Sequence, residues 1–151
     1  MTPKEQAERC KVLAAAHSWI RTPFHDNARV KGIGTDCAQL LAAVYEEAGI
    51  MLHIETEHYS PQFFLHHDEE RFLSYVLSRA IEIKERDAKP ADFLVYRIGR
   101  VFAHGAIVID PGWPHILHAY KAEGFVTTGL GDIGELGPRP RRFFRPLEWE
   151  R

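Results

Sequence analysis

The chain has 151 residues, which is the size of one domain with one hydrophobic core. Its hydrophobic content of 45% and charged content of 26% are typical of a soluble globular domain. The formal net charge of −2 excludes the basic balance of a protein that binds nucleic acid or an anionic membrane surface. We therefore predict a single domain over residues 1–151 with no nucleic-acid and no membrane partner.

The cysteines and the N-terminus indicate the compartment of synthesis. Two cysteines, Cys10 and Cys37, cannot form a disulfide framework. The first residues lack the apolar segment of a signal peptide, and no apolar run is long enough to cross a bilayer. We expect synthesis in a cytoplasm without export by the general secretory route.

The first predicted element is a helix from Pro3 to Ile20. Thr2, Pro3 and Glu5 form a capping box with proline at the first helical position, and Thr22-Pro23 ends the helix. Residues of near-helical spacing predict its buried face, with Cys10 as core packing: Ala7, Cys10, Leu13, Ala14, His17 and Ile20. Residues 22–35 are predicted to be a loop.

A second helix is predicted to begin at Cys37. Asp36 is a suitable N-cap, with Gln39 as its reciprocal partner, and Gly49 is a suitable left-handed C-cap. An apolar stripe follows the cysteine: Leu40, Leu41, Val44, Tyr45 and Ala48. Because exposed N–H groups and a partial positive charge lie at a helix N-terminus, this position favours a thiolate.

The second half changes from helical to strand patterning. A short helix over residues 68–79 precedes β-rich segments predicted to form an antiparallel meander: 93–97, 103–110 and 115–120, with further strands at 125–128 and 142–146. Helices followed by strands predict an α+β domain.

Cys37 prompts a search for a base and for a residue that orients it. His104 opens an apolar strand and His118 ends the next one, so a hairpin through residues 111–114 would bring them to the same end of the sheet. Spacing alone leaves catalysis and ordinary burial of these side chains about equally open. The sequence contains no CxxC or HExxH pattern, either of which would indicate a metal site, and no cofactor is predicted.

Five separated segments, in order over about residues 20–120, resemble the NlpC family of cell-wall cysteine peptidases. They are Arg21-Thr22-Pro23-Phe24, Gly34-Thr35-Asp36-Cys37-Ala38-Gln39-Leu40, Pro90-Ala91-Asp92-Phe93-Leu94, His104-Gly105-Ala106-Ile107-Val108 and Ile116-Leu117-His118-Ala119. The resemblance implies a papain-like fold with N-terminal helices packed on an antiparallel sheet. It also implies Cys37 as nucleophile, His104 as base and His118 as the residue that orients its ring.

The resemblance further implies a substrate and a setting. The family cuts peptidoglycan stem peptides, commonly between D-γ-glutamate and the diamino acid. The form of residues 24–34 is most similar to the branch found in phage-tail and prophage proteins, which implies phage-tail partners and delivery by a virion.

Several positions depart from the family pattern. Phe24 replaces a tyrosine whose hydroxyl helps to form the oxyanion site, so either His25 or backbone N–H groups substitute there, or activity is weak. Asp36, Phe24 and His25 are thus the candidates for oxyanion and substrate binding. Ala38 and Ala91 replace a serine and a glycine, and the 51–89 insert exceeds the family minimum and is expected to cover the groove.

Two alternatives to a peptidase follow from the same residues. The Phe24 departure is also expected of a catalytically degenerate structural or assembly module of a phage tail. An amidase or acyltransferase on the same scaffold would use the same nucleophile and base.

Overall fold

We analysed a computed structural model, which describes residues 1–50 and 77–149 and, for Val101, the backbone alone. The α-helices and strands that lie wholly within these described residues are, in chain order, α1 Pro3–Ser18, β1 Arg29–Val30, β2 Gly34–Thr35, α2 Cys37–Glu47, β3 Ala80–Ile83, β4 Phe93–Ile98, β5 Val101–Val108, β6 His115–Tyr120, β7 Phe125–Leu130 and β8 Arg141–Pro146.

The strands within residues 77–149 form one antiparallel sheet of six in the order β3-β8-β4-β5-β6-β7. Strands β4 to β7 make the predicted meander, and β8 returns to pair between β3 and β4. Strands β1 and β2 form a separate small hairpin directly before α2. The predicted α+β class is therefore confirmed.

Helix α1 differs from its prediction in the face that it buries. Thr2 caps the helix as predicted, because its hydroxyl oxygen accepts from the Glu5 N–H at 3.1 Å. The helix ends at Ser18 rather than Ile20, and its buried residues are Arg9, Val12 and Ala16. The predicted apolar face is wrong, and Cys10 is exposed rather than packed in the core.

Helix α2 follows the prediction closely. The Asp36 carboxylate accepts from the Gln39 N–H at 2.9 Å, which makes Asp36 the N-cap. At the other end Gly49 has a φ of 72°, and the N–H of Ile50 donates to the Tyr45 carbonyl at 3.0 Å. This hydrogen bond, closed around a left-handed glycine, is typical of a Schellman motif.

Two apolar clusters lie on opposite faces of the sheet. One contains most of α2 with Val12 and Ala16 of α1, and alternate residues such as Ile107 and Leu117 point towards it. The other contains Leu94, Tyr96, Ala106, Val108, Ile116, Leu136 and Phe143. Helix α2 approaches β5 so closely that a Cβ at Gly105 would overlap the Leu41 side chain.

The remaining elements were partly anticipated. Strands are present at all five predicted places, with ends shifted by up to two residues, whereas β1, β2 and β3 were not predicted. The predicted helix at 68–79 lies mainly outside the described residues, as does most of the predicted 51–89 insert. Among the described helices, none is long and apolar enough to cross a membrane.

Candidate active site

The structure brings His104 and His118 into direct contact. His104 Nε2 lies 2.8 Å from His118 Nδ1, and the ring centroids are 5.0 Å apart. The two rings are buried on adjacent strands, as the hairpin prediction required. One nitrogen must donate and the other accept, so the bond couples the protonation of the two rings.

A split in the sheet leaves room for a third group beside this pair. Strands β5 and β6 pair at Ile107 with Leu117 and at Val108 with Ile116. Continuing that register would pair Gly105 with Ala119, but the strands separate before this point. The part of β5 that includes His104 therefore has one edge that β6 does not cover.

The Cys37 thiol occupies this uncovered edge. Its Sγ donates to the Ala103 carbonyl at 3.4 Å, and the Gly105 N–H points to the same sulfur. In a strand, the Ala103 C=O and the Gly105 N–H project to one edge, and the backbone groups of His104 between them project to the other. The first residue of α2 thus lies against the backbone on either side of the predicted base.

The split also explains how groups from opposite faces of the sheet meet. His104 and His118 share their faces with Ala106 and Ile116, which belong to the cluster away from α2. Cys37 belongs to the α2 side, and its sulfur lies at the gap, against the Ala103 carbonyl and the Gly105 N–H on the uncovered edge of β5. No hydrogen bond joins its sulfur to either ring in the described part of the chain, so catalysis requires the thiol to turn from Ala103 towards His104.

Burial holds all three groups in their neutral forms. Burial first, and the neighbouring Asp36 carboxylate second, raise the pKa of Cys37 to about 12. Burial lowers the pKa of His104 to about 3, helped by His118 and Arg139, and that of His118 to about 4. The direction for Cys37 is opposite to the one expected from a helix N-terminus alone, because burial and Asp36 both disfavour the thiolate.

Asp36 acts on this site through the backbone. Its two carboxylate oxygens accept from the N–H groups of Gln39, at 2.9 Å, and Asn27, at 2.7 Å. The Gln39 side-chain oxygen in turn accepts from Arg29 Nε at 2.7 Å. Asp36 thus fixes the start of α2 against the preceding loop, and an ionised carboxylate cannot donate to an oxyanion.

Phe24 and His25 lie beside β2, which leads into the cysteine. Phe24 forms a parallel bridge with Thr35, and the His25 N–H donates to the Thr35 carbonyl at 2.9 Å. The Phe24 ring packs against the α2 cluster, which also contains Cys37, whereas the exposed His25 ring contacts the Asp26 carbonyl through Nδ1 at 3.1 Å. Neither ring contacts the histidine pair, and their roles remain predictions.

Two tyrosines that the sequence analysis did not select surround the histidine pair. The Tyr96 ring centroid lies 5.9 Å from that of His104, and the Tyr120 ring stacks on His118. The sequence contained a signal for Tyr120, since residues two apart on a strand share a face and Tyr120 follows His118 by two. Tyr96 could be found only from the pairing of β4 with β5.

Within the described residues, no group of three or more His, Cys, Asp or Glu side chains is arranged to hold a metal ion. The chemistry that the arrangement can perform is acid–base and nucleophilic. The arrangement combines the buried Cys37 thiol with the His104 imidazole, whose Nε2 is hydrogen-bonded to the His118 imidazole.

No protein-family model matches the sequence, and no curated protein matches it significantly. Solved structures of NlpC/p60 domains do resemble it. The NlpC/p60 domain of the peptidoglycan hydrolase SagA superposes with a TM-score of 0.61 at 17% identity, covering 89% of this chain and 96% of that one. The peptidoglycan hydrolase RipB from Mycobacterium tuberculosis gives 0.64 at 14% identity, covering 96% and 68%.

A third similar structure is RipD from Mycobacterium tuberculosis, described as a non-catalytic NlpC/p60 domain protein adapted to peptidoglycan binding. Its TM-score is 0.61 at 15% identity, covering 93% of this chain and 98% of that one. The chain therefore has the NlpC/p60 papain-like fold, which confirms the predicted architecture. Because the fold includes both hydrolases and a non-catalytic protein, the activity must be argued from the site.

The neutral histidines make stability depend on pH. The folded-state pKa values of His104 and His118 lie below the ordinary value near 6.5, so the unfolded chain binds more protons between these limits. The free energy of unfolding should therefore be greatest above about pH 6.5 and fall towards pH 4, by about 1.4 kcal/mol per pH unit for each histidine.

Urea unfolding from pH 4.5 to 7.5 would measure this dependence. The variant His118→Asn should lose about half of the slope attributed to the pair, whereas His25→Gln, which changes an exposed ring, should keep it all. Equal slopes in the parent and in His118→Asn would show that burial does not hold His118 neutral.

Proposed function

We propose that this protein is a cysteine endopeptidase that hydrolyses amide bonds in peptidoglycan stem peptides. The observation that supports this most directly is the hydrogen bond of 2.8 Å between His104 and His118 at the split where the Cys37 thiol lies. That arrangement provides a nucleophile, a base and a group that orients the base. The fold adds support, since SagA and RipB are peptidoglycan hydrolases of the same architecture.

The histidine bond defines the proton positions that the reaction needs. If His104 Nε2–H donates to His118 Nδ1, then His104 Nδ1 keeps a free lone pair. The thiol turns from the Ala103 carbonyl to this lone pair and gives up its proton as its sulfur attacks the substrate carbonyl carbon. The backbone N–H groups of Cys37 and a neighbour stabilise the resulting oxyanion.

The second half of the reaction returns the proton. His104 donates it to the nitrogen of the leaving amine as the carbon–nitrogen bond breaks, which leaves a thioester on Cys37. His104 then removes a proton from water, the hydroxide attacks the thioester, and the free acid and thiol are restored. Because thiol and imidazole both rest uncharged, the thiol loses its proton during attack and not before substrate binds.

The bond and the biological setting are narrower parts of the proposal. The D-γ-glutamyl–diamino acid bond is the candidate for cleavage, on the family resemblance of the five sequence segments. The resemblance of residues 24–34 to phage-tail proteins supports assembly into a tail after synthesis in the cytoplasm, with tail proteins as partners.

Digestion of purified peptidoglycan, followed by mass spectrometry of the products, tests the activity. The parent protein should release a new amine and a new carboxylate at one position of the stem peptide. Cys37→Ala should abolish this release while leaving the fold intact, and Cys10→Ser, which changes an exposed thiol, should act like the parent. Full activity of Cys37→Ala would show that the nucleophile is another group.

Product masses also separate the reactions open to this site. Cleavage between sugar and peptide would indicate an amidase, and transfer of the peptide to an added amine would indicate an acyltransferase. Either result would keep the nucleophile but replace the proposed endopeptidase reaction.

A second candidate function is a non-catalytic domain that binds peptidoglycan or serves tail assembly. It is favoured by Phe24, which has no hydroxyl to donate, and by the raised pKa of Cys37. RipD shows that the fold supports a non-catalytic role. Binding of Cys37→Ala and the parent to insoluble peptidoglycan with equal affinity, and with no products from either, would favour this function.

A further inference from the structure

Tyr120 contacts both histidines of the candidate site. Its ring lies 4.8 Å from the His118 ring with an interplanar angle of 15°, so the two rings are stacked. It also lies 5.6 Å from the His104 ring at an angle of 56°. Tyr120 is half-buried at the end of β6, two residues after His118 and on the same face of the strand.

The hydroxyl of Tyr120 is fixed from the opposite side. It donates to Glu135 Oε2 at 2.9 Å. Glu135 lies in a short 3₁₀ turn, Gly134–Leu136, and Leu136 is buried in the cluster on this face of the sheet. The same connecting segment begins at Gly131, whose carbonyl accepts from the Tyr96 hydroxyl at 2.6 Å.

We propose that Tyr120 is a positioning residue for the His104–His118 pair, with Glu135 as its anchor. The inference rests on the proposed function, because it assigns Tyr120 to the reaction that this pair performs. In many catalytic triads a carboxylate bonded to the base provides both orientation and compensating charge. Here the third group is a neutral imidazole, and the stacked tyrosine supplies part of the orientation and compensating charge that a carboxylate would provide.

The orientation effect follows from the stacked geometry. A flat ring against His118 restricts rotation about the Cβ–Cγ bond, while the hydrogen bond to His104 selects the nitrogen that faces it. Fixing His118 in this way keeps Nδ1 available to accept from His104 Nε2. His104 Nδ1 is then the nitrogen left for the thiol.

The electrostatic effect acts when the thiol proton reaches the pair. The pair then carries a positive charge, which the face of an aromatic ring attracts. The charged and titratable groups around the pair are Cys37, Tyr96, Tyr120, Glu135 and Arg139. Arg139 opposes the charge, so Tyr120 and the Glu135 carboxylate behind it favour the protonated pair against that effect.

The test compares Tyr120→Leu, Tyr120→Phe, Glu135→Gln and the Phe/Gln double variant, all with Cys10→Ser so that Cys37 is the one thiol. Two measurements are made: kcat and KM on a muropeptide, and the rate of Cys37 alkylation by iodoacetamide between pH 5 and 10.

Tyr120→Leu should lower kcat by about tenfold with KM changed less than about threefold, and it should move the alkylation profile to higher pH. Tyr120→Phe keeps the stacked ring and should lose no more than about threefold.

The anchor gives an independent test that does not need the leucine variant to fold. If Glu135 acts through the Tyr120 hydroxyl, Glu135→Gln should match Tyr120→Phe and the double variant should be no worse than either. Tyr45→Phe is the matched control, since it removes a tyrosine hydrogen bond of 2.6 Å to the Ala91 carbonyl on the other side of the sheet. It should leave the alkylation profile unchanged.

The outcomes separate this inference from the proposed function. A lower melting temperature with an unchanged alkylation profile and unchanged kcat in the Tyr120 variants, or additive effects in the double variant, would overturn the positioning role. Alkylation needs no peptidoglycan. A profile that depends on Tyr120 in a protein without hydrolytic products would support the positioning role and overturn the proposed reaction.

Discussion

Replacing Asp92 by alanine is expected to lower the free energy of unfolding by about 3–5 kcal/mol, the cost of breaking a buried ion pair from one side. Asp92 is fully buried at the start of β4. Its carboxylate accepts from Arg9 Nη1 at 3.0 Å and from Arg145 Nε and Nη2 at 3.0 and 2.8 Å. The Lys89 N–H also donates to it, at 2.8 Å.

The expected loss is large because the alanine leaves cations behind. Arg9 is 4% exposed on α1, and Arg145 is half-buried on β8, so neither guanidinium can recover full hydration. The carboxylate therefore joins α1, β4 and β8, which are distant in sequence. Its removal should loosen α1 from the sheet as well as weaken the turn into β4.

Urea unfolding of Asp92→Ala beside a matched surface variant would measure this effect. Glu82→Ala removes a carboxylate that also receives two bonds from one arginine, Arg142, at 3.1 and 2.7 Å, but in an exposed position. We expect it to cost less than about 1 kcal/mol. Equal losses of unfolding free energy in the two variants would mean that burial of Asp92 does not increase the contribution of its ion pairs to stability.

The same ion pair shows why the α1 face was predicted wrongly. The predicted buried face, Ala7, Cys10 and Leu13 among others, did not include Arg9, because a periodicity analysis places charged residues on the solvent side. The stripe that contains Arg9 is buried because Asp92, 83 positions later, neutralises the arginine. A contact over that separation leaves no local trace in the sequence, whereas the N-caps Thr2 and Asp36 each bond to a residue three positions later and were predicted correctly.

The site divides in the same way. The N-cap at Asp36 and the strand patterns around His104 and His118 are local features, and they were sufficient to select residues that the fold brings together. The prediction that His104 opens its strand and His118 ends the next was wrong, because both lie inside β5 and β6. The separation of β5 from β6 and the return of β8 are tertiary features. The edge that the separation leaves on β5 is where the Cys37 thiol is buried, and this burial raises its pKa. The helix N-terminus alone, without that tertiary feature, predicted a thiolate.

Ala91 illustrates how a departure from a family pattern acquires a physical meaning. Its φ is 82°, in the left-handed region that glycine adopts without a steric cost. The glycine usual at this position in the family would satisfy that geometry. Alanine is accommodated because the Ala91 N–H donates to the Val108 carbonyl at 2.8 Å and its carbonyl accepts from the Tyr45 hydroxyl.

Under the proposed function, variants of the histidine pair should have the largest effects on activity after variants of Cys37. His104→Ala should lower kcat on a muropeptide by about 10²–10⁴-fold, the usual contribution of general acid–base catalysis. The loss should appear in kcat more than in KM, because the proton transfers occur in the transition state. Combining it with Cys37→Ala should cost no more than Cys37→Ala alone, since nucleophile and base act as a unit.

His118 should show a graded response that distinguishes orientation from proton transfer. His118→Ala removes the acceptor for His104 Nε2 and should lower kcat by about 10–100-fold, as when a group that orients a metal-bound histidine is lost. His118→Asn places an amide oxygen near the position of Nδ1 and should retain activity within about tenfold of the parent. His17→Ala is the control, because His17 is exposed on α1 and is not among the candidate site residues. If His118→Asn were as impaired as His118→Ala while binding and stability were unchanged, His118 would have to exchange protons itself, and the pair would work as a two-histidine relay.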